Sequence, residues 1–594
     1  MNPGCLATGG LILTQCTSRL STVTGGKIVC TPEGWGRPLP EDPVEQGDMS
    51  EPEATNAGGM KEEIRYPAGE PEPGSPLGTP PKAGAPVECG RTPSDSGHES
   101  RGLTTRRQFL SLAALATLGL VVEGCGQKAS FVTTSTTALS AALLGAEPPV
   151  TAPTQAPPPS PTGSVSTVTA DVCVVGGGAA GIMAAIAAAR QGAVTILVED
   201  SYVLGGNLTR GLVNFDRAGW GSGIMVGGLF EELVRGLAAH GDGVFPSAQT
   251  AYTVPCDPDA LRQAALQMTR QAGVTVRLGT SAMWALTSGR QLDSIWVRER
   301  ATLSEIAASI FIDCTGDGNL GFLAGHPYWL GDRTTGNIQG QTLIFCAGPV
   351  NLSDLWDFAQ KEGSAVEDYC IVGMHSIMRE VRASKDVVGS PQLGMLINRN
   401  MWHNMVSISA SETYGNPLDS EGLSDICNTL QLQNTQIHKA LVEHVPAFRD
   451  SRITRLAERP YLREGRRLVG TYQLTAADVN NSVKPSDSIA RGYYPIDLHL
   501  SSGASQTMFQ KPGDWYGIPY RCLVASELDN LLMAGRCISV THEALGSTRI
   551  SPVSTALGQA AGVAAAMAAK NHVGAADVPV GSLQAELQRQ GALI

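Results

Sequence analysis

Apolar residues change their rhythm partway along this chain. Up to residue 168 the sequence is crowded with Pro, Gly, Ser and Thr and looks unlike a folded domain, apart from a compact apolar run from Ser111 to Val122. Beyond it, short β-branched stretches alternate with stretches of helical spacing. Asp171 to Val175 predicts a strand, Ile182 to Arg190 an alanine-rich helix, and Val194 to Val198 a second strand. Leu261, Ala264, Ala265 and Met268 recur at helical spacing behind Asp257, which predicts a capped helix running into a strand. Ile306 to Ile312 and the segment GQTLIFCAG have strand character, and Ile426, Leu430, Ile437 and Leu441 mark an amphipathic helix over Leu423 to Val445. Near the C-terminus a strand ends at Gly535, a loop carries His542 and Arg549, and a small-residue helix starts at about Ser554. Alternating strands and helices argue for an α/β fold, and residues 169 to 594 are enough for a large core in two joined domains.

The glycines between the first strand and helix give that pattern a chemistry. Gly176, Gly178 and Gly181 stand at GxGxxG spacing in VCVVGGGAAGIMAA. Gly176 permits the tight turn, Gly178 lets a pyrophosphate approach the backbone, and Gly181 lets the helix lie close to the strand. Phosphates can then sit on the amides that open the helix at Ala179 and Ala180, where unpaired N–H groups and the dipole favour anions. The second strand ends in Glu199, about where such a unit places the acid that accepts hydrogen bonds from a ribose. Strand, glycines, helix, second strand and acid in this order point to a flavin or nicotinamide dinucleotide. Directly after it, Gly205 and Gly206 with Thr209 in LGGNLTRG can bring amides and a hydroxyl to the pyrophosphate.

A second match to the expression, Gly316, Gly318 and Gly321 in DCTGDGNLG, lacks a strand that ends in an acid some 20 residues on. It reads as a turn returning the chain to the same cofactor, so one dinucleotide site is expected. Net charge is −12 and there is no basic run with interleaved aromatics, which argues against nucleic acid as a partner. Thirteen cysteines occur without CxxC or Cys/His ligand spacing, so no metal site is expected and Cys173, Cys314, Cys346 and Cys537 read as core thiols.

The N-terminal region reads as an address. Thr104 to Leu110, TTRRQFL, sets Arg106 and Arg107 immediately before the apolar run, whose length is too short to span a bilayer: a twin-arginine export signal over residues 105 to 125. Export of a folded, cofactor-loaded protein to the periplasm or the outer side of the cytoplasmic membrane follows. Cys125 stands where a lipoprotein cysteine would, but Glu123 departs from the small residue usual there, so a lipid anchor at Cys125 stays an open alternative. Residues 1 to 104 read as a disordered extension or a misassigned start, with Met49 and Met60 as internal candidates, and residues 126 to 168 as a Pro/Thr/Ala tether.

Taken together, GGGAAG with Glu199, LGGNLTRG, CDPDALRQ, IDCTGDG, REGRRLVGTYQLTAADV, ARGYYPIDLH, GIPYRCL and NLLMAGR…H…GSTR…GQAAG resemble the bacterial FAD-dependent oxidoreductases related to heterodisulfide reductase A and, more distantly, to fumarate reductase flavoproteins. The resemblance covers nearly all of residues 169 to 594. It implies a discontinuous Rossmann-like FAD-binding domain of the glutathione reductase type, residues 169 to 330 and 511 to 594, with an α+β substrate domain inserted over 331 to 510. It implies non-covalent FAD held by the first glycine turn, by Gly316 and Asp317, and by Gly535 and Arg536. The last helix would point its positive N-terminal end, in the turn before Gly558, Gln559 and Ala560, at the flavin pyrimidine edge, with these small residues letting it approach the ring. His542 and Arg549 would be the catalytic pair, gripping a substrate carboxylate, or Arg549 would contact an FAD phosphate and His542 cap a turn, and Arg463, Arg466, Arg467, Asp497 and His499 could line the substrate face or form an ordinary ion-pair network. This chain lacks the iron–sulfur cysteine clusters of heterodisulfide reductase A. The expected activity is hydride transfer between a small organic substrate and flavin N5, with an unidentified electron acceptor or donor closing the cycle. The alternatives are a flavoprotein subunit of a larger electron-transfer complex and a non-catalytic tethered binding protein.

Overall fold

A computed structural model describes residues 149–153 and 165–594, apart from positions 216, 220–222, 249, 385–386, 390, 393, 402–403, 502–504 and 509–512. The twin-arginine segment, Cys125 and most of the tether lie outside the described residues.

The first motif folds as its pattern requires. Strand β1 (Ser166–Val175) runs into helix α1 (Ala179–Arg190) and strand β2 (Thr195–Val198), with Val172 to Val175 in parallel register against Thr195 to Val198. Helices α2 (Leu229–Ala239) and α3 (Pro258–Gln271) follow, the latter capped by Asp257, whose carboxylate accepts from the N–H groups of Asp259 and Ala260. Next come β3 (Thr275–Arg277), β4 (Thr280–Ser288), β5 (Gln291–Glu299) and β6 (Thr302–Asp313). The sheet order is β3-β2-β1-β6-β5-β4: β1, β2, β3 and β6 are parallel, and β4 and β5 return as antiparallel hairpin strands. β6 is long enough to serve two partners on one edge, β5 along its first half and a strand from the far C-terminus along its last residues.

The expected inserted segment divides. Strands β7 (Phe345–Gly348), β8 (Ala365–Val366), β9 (Cys370–Gly373), β10 (Met395–Arg399), β11 (Val406–Ser409) and β12 (Arg452–Leu456) form an antiparallel sheet in the order β12-β7-β11-β10-β9-β8. Helices α4 (Leu352–Lys361), α5 (His375–Ala383) and α6 (Ser420–His444) bury Leu355, Ile377, Met378, Ile437 and Leu441 in that sheet's own core. Residues 468 to 498 do otherwise. Leu468, Ile489, Tyr493, Ile496 and Leu498 bury in the core around α1, and strands β13 (Ser488–Gly492), β14 (Ile496–His499) and β15 (Tyr516–Pro519) lie there.

Strand β16 (Leu531–Met533) closes the first sheet by pairing in parallel with Phe311 to Asp313 of β6. The expected loop after it is largely a short helix, α7 (His542–Thr548), with Thr541 as N-cap and Arg549 as C-cap. The long helix α8 (Ser551–Asn571) starts before the expected Ser554 because Pro552 at the second position sets a helical φ, and α9 (Val580–Arg589) ends the chain. α8 packs along α1 at glycine contact distance: a Cβ at Gly558 would overlap the carbonyl of Ala180, and one at Gly562 that of Ala184. Among the described residues no helix is long and apolar enough to cross a membrane.

Candidate functional site

A cavity of about 360 Å³ opens at the C-terminal ends of β1, β2 and β6, where α/β sheets place ligands. Its first wall is the glycine turn: Gly176, Gly178, Ala179 and Ala180 line it, together with Glu199. The three motif glycines behave differently. Gly176 has φ +101° and a Cβ there would meet the Cys314 carbonyl, while a Cβ on Gly181 would overlap the carbonyl oxygen of Gly176. Gly178 has nothing within 4 Å of its would-be Cβ, so only a ligand needs that space. As N-cap of α1 it offers no side chain, and the helix's opening N–H groups have no side-chain cap to satisfy them. An open position above an uncapped, twelve-residue helix fits a pyrophosphate.

Glu199 is buried at the end of β2. Its carboxylate accepts from the N–H of Gly177 at 2.6 Å and from the N–H and hydroxyl of Ser201 at 3.0 and 2.6 Å. Burial, reinforced by Asp200 next door, pushes its carboxyl above the ordinary range. The carboxylate therefore buttresses the glycine turn while also facing the cavity. Gly205 and Gly206, at φ +109° and +53°, and Asn207 and Leu208 line the cavity beside it. Thr209 does not: its hydroxyl donates to the Leu204 carbonyl at 2.7 Å and it is fully buried, so it locks the loop instead of presenting a hydroxyl to phosphate.

The second glycine turn reaches the same cavity. Gly316, Asp317 and Asn319 line it together with Gly535 and Arg536, and Asp317 and Arg536 pair at 2.8 Å. Asp313, at the end of β6, organises this turn: it accepts from the N–H and hydroxyl of Thr315 and from the N–H of Gly321. Burial pushes its carboxyl up despite those bonds. Its role was not legible in the sequence, since an acid before a TGDG turn carries no motif of its own. Thr280 to Ala282 on β4 and Arg459 and Tyr461 also line the cavity, and nothing in their local sequence marks them.

The last helix meets the cavity in the turn before Gly558, Gln559 and Ala560, as expected, but those three residues do not line it. Ser551 and Ser554 line the cavity. Gly558 lies against α1, Ala560 is buried, and Gln559 accepts from the N–H of Leu229 at 3.0 Å and donates to Gln590 at 2.9 Å. The three are packing residues. The small-residue pattern that drew attention to them reflects close helix contact, which needs the same composition as close ligand contact.

His542 and Arg549 occupy one face of α7, two turns apart. Arg549 lines the cavity, and its guanidinium donates to the Tyr461 hydroxyl at 2.8 Å and to the Asp497 carbonyl and carboxylate at 3.1 Å. His542 sits behind that wall, 5% exposed, with Nδ1 at 2.9 Å from a Glu464 carboxylate oxygen and Nε2 buried without a partner. Glu464 also pairs with Arg467 and accepts from the N–H of Gln339 at 3.1 Å. Gly546 lets β14 cross this face, since a Cβ there would press on the Asp497 backbone. Asp497 meets His499 Nε2 at 3.3 Å, and His499 Nδ1 meets Glu412 at 2.6 Å. Burial opposes the charge on both carboxylates, but hydrogen bonds to His499 and the Arg463 and Arg549 charges around them prevail and hold Asp497 well below the carboxylate range, with Glu412 lowered by His499 and Arg463. Arg466 stacks on Phe322 and bonds to Asn319, away from this network.

Among solved structures, a geranylgeranyl bacteriochlorophyll reductase-like protein from Thermoplasma acidophilum is similar at 14% identity, over 72% of this chain and 84% of that one, with a TM-score of 0.37. A flavoprotein/dehydrogenase from Cytophaga hutchinsonii is similar at 12% identity, over 71% and 84%, with a TM-score of 0.38. An L-proline dehydrogenase from P. horikoshii is similar at 10% identity, over 72% and 99%, with a TM-score of 0.35. No curated protein matches the chain. The family model that matches, over residues 171–587, is that of the FAD dependent oxidoreductases; the chain belongs to this family, and its cofactor is FAD.

Proposed function

We propose that the protein catalyses hydride transfer between a small organic substrate and FAD, with His542 as the group that handles the proton. The observation that carries this reading is the His542–Glu464 contact. A carboxylate at Nδ1 fixes the ring proton there and leaves Nε2 as a lone-pair acceptor, and this Nε2 is buried, unpartnered and on the helix face that carries the cavity-lining Arg549. Glu199 would hold the adenosine ribose, Gly178 and the start of α1 the pyrophosphate, and Asp317 with Arg536 the middle of the cofactor. The uncapped start of α8, at Ser551 and Ser554, supplies a positive dipole end to charge that develops on the ring system. When bound, FAD supplies a two-electron acceptor. The chain's own part is to hold the substrate against the Tyr461 and Arg549 wall, to keep water out of a buried site, and to take or return a proton at His542 Nε2.

Export through the twin-arginine signal at Arg106 and Arg107, a separate electron acceptor, and kinship with heterodisulfide reductase A and fumarate reductase flavoproteins belong to the same proposal, and rest on the sequence motifs. The test is anaerobic bleaching of the flavin band by a panel of small alcohols, amines and acids. A His542→Asn variant should keep its FAD and lower the rate of substrate reduction of flavin by about 100- to 10,000-fold. An unchanged rate would remove His542 from the chemistry.

A further inference from the structure

One cation in the cavity wall has no counter-charge. Among the described residues the guanidiniums of Arg459, Arg536 and Arg549 line the cavity; Asp317 takes Arg536 at 2.8 Å and Asp497 takes Arg549 at 3.1 Å. Arg459, half-buried, makes no hydrogen bond and no ion pair with any described residue. Arg463 also keeps an unpartnered Nε, but it lies over the Tyr461 ring at 5.2 Å, donates to Gly340 and Thr342, and is not part of the lining. The acids of the lining are engaged: Glu199 by Gly177 and Ser201, Asp200 by Arg210 at 3.4 Å, and Asp317 by Arg536.

Arg459 reaches this wall from the second sheet. It stands just past the end of the edge strand β12, and Pro460 behind it favours extended backbone. The segment is pinned on both sides of it: the N–H groups of Ala457, Glu458 and Tyr461 donate to the carbonyls of Ile344, Arg210 and Thr342 at 2.9, 2.8 and 2.7 Å. A row of alternating charges ties the same segment to the loop after β2 and to α3. Arg210 meets Asp200 at 3.4 Å and Glu458 at 3.3 Å, Arg262 meets Glu458 at 3.0 Å and Asp259 at 3.1 Å, and Arg455 meets Asp259 at 3.0 Å. Each exposed pair is weak alone, but together they fix where Arg459 stands.

From these observations we infer that Arg459 is an oxyanion clamp, that the oxyanion it meets is the FAD pyrophosphate, and that the Asp200-to-Arg455 charges hold the clamp in place. The amides that open α1 offer a diphosphate only partial positive charge, and a guanidinium adds a full charge with paired donors that match phosphate oxygens. The inference rests on the reading that FAD lies along the glycine turn. It adds a cofactor contact delivered from outside the FAD-binding body.

The experiment dilutes full-length, FAD-loaded protein and follows released flavin by fluorescence at low and high ionic strength. Arg459→Gln should release FAD about 10- to 100-fold faster at low ionic strength, as loss of a charged hydrogen bond predicts, and Arg459→Lys should recover part of that loss. Salt should speed release from wild type more than from Arg459→Gln, because it screens the charge that the variant lacks. Glu458→Gln, outside the cavity, should speed release about two- to fivefold, and this effect should vanish in the Arg459→Gln background, since Glu458 acts by placing Arg459. Equal release from Arg459→Gln and wild type overturns the inference when Gly178→Val sheds its flavin. In that case a saturable change in the oxidised flavin spectrum with sodium malonate, abolished by Arg459→Gln, assigns the guanidinium to an acidic substrate. If Gly178→Val keeps its FAD as well, the reading that places FAD along the glycine turn falls, and the inference with it.

Discussion

Gly178 and Gly181 sit three residues apart in one motif and should fail in opposite ways. Val at 178 would place its side chain in open space at an ordinary φ of −77°, so the fold should survive and the bound FAD should not. Flavin absorbance per protein together with an unshifted thermal transition checks this, and a fully yellow variant would show that the phosphates lie elsewhere. Ala at 181 would instead push into the Gly176 carbonyl, so this change should lower stability by about 1–3 kcal/mol, as overpacking does, and be read in urea midpoints. The motif spacing was enough to find both glycines. It was not enough for Glu464, which meets His542 only because the chain folds it there. His542 and Arg549 were visible as chemistry-bearing residues in a suggestive segment, but which one faces the cavity and which stands behind it depends on α7 forming.

At the scale of elements, the contact between α1 and α8 carries the N-terminal and C-terminal parts of the FAD-binding body. Gly558 and Gly562 are one turn apart on α8 and meet the backbone of α1 at Ala180 and Ala184. Gly562→Val should force the helices apart by the width of a side chain, destabilise the protein by about 1–3 kcal/mol or more, and loosen FAD because α1 also carries the phosphate site. A thermal transition and flavin retention both equal to wild type would show that the helices can slide without cost. Periodicity predicted these elements well where a pattern was strong: α1, β2, the Asp257-capped α3 and the amphipathic α6 form close to their expected bounds, whereas β1 starts at Ser166, ahead of the expected Asp171. It missed α7, whose residues His542 to Thr548 are nearly all buried and so show no polar and apolar alternation. It also misread Gly558 to Ala560, since alanine and glycine serve helix packing and ligand approach equally well.

Across the whole molecule, buried carboxylates should shape the response to acid. Asp497 and Glu412 are both held below their ordinary values, so the stability they contribute is fully present above about pH 5.5 and is lost as pH falls through the ordinary and then the lowered values. Urea midpoints followed from neutral pH downward should drop on that limb. Glu412→Gln should flatten it, and an unchanged slope would mean that the network adds nothing to folding. A second whole-molecule expectation concerns location: Arg106→Lys with Arg107→Lys should strand the protein in the cytoplasm, and normal export would remove the twin-arginine reading. The sequence by itself determined the α/β class, the strand–glycine turn–helix unit around Gly176, Gly178 and Gly181, and the return of the TGDG turn to the same cavity, because these depend on local period and on backbone freedom at single positions. Only the tertiary structure decided that Arg549 is matched by Asp497, that His542 is set by Glu464, and that Thr209 and Gln559 serve the scaffold. Those roles are contacts between residues far apart in the chain, and no local spacing encodes which partner a side chain will meet.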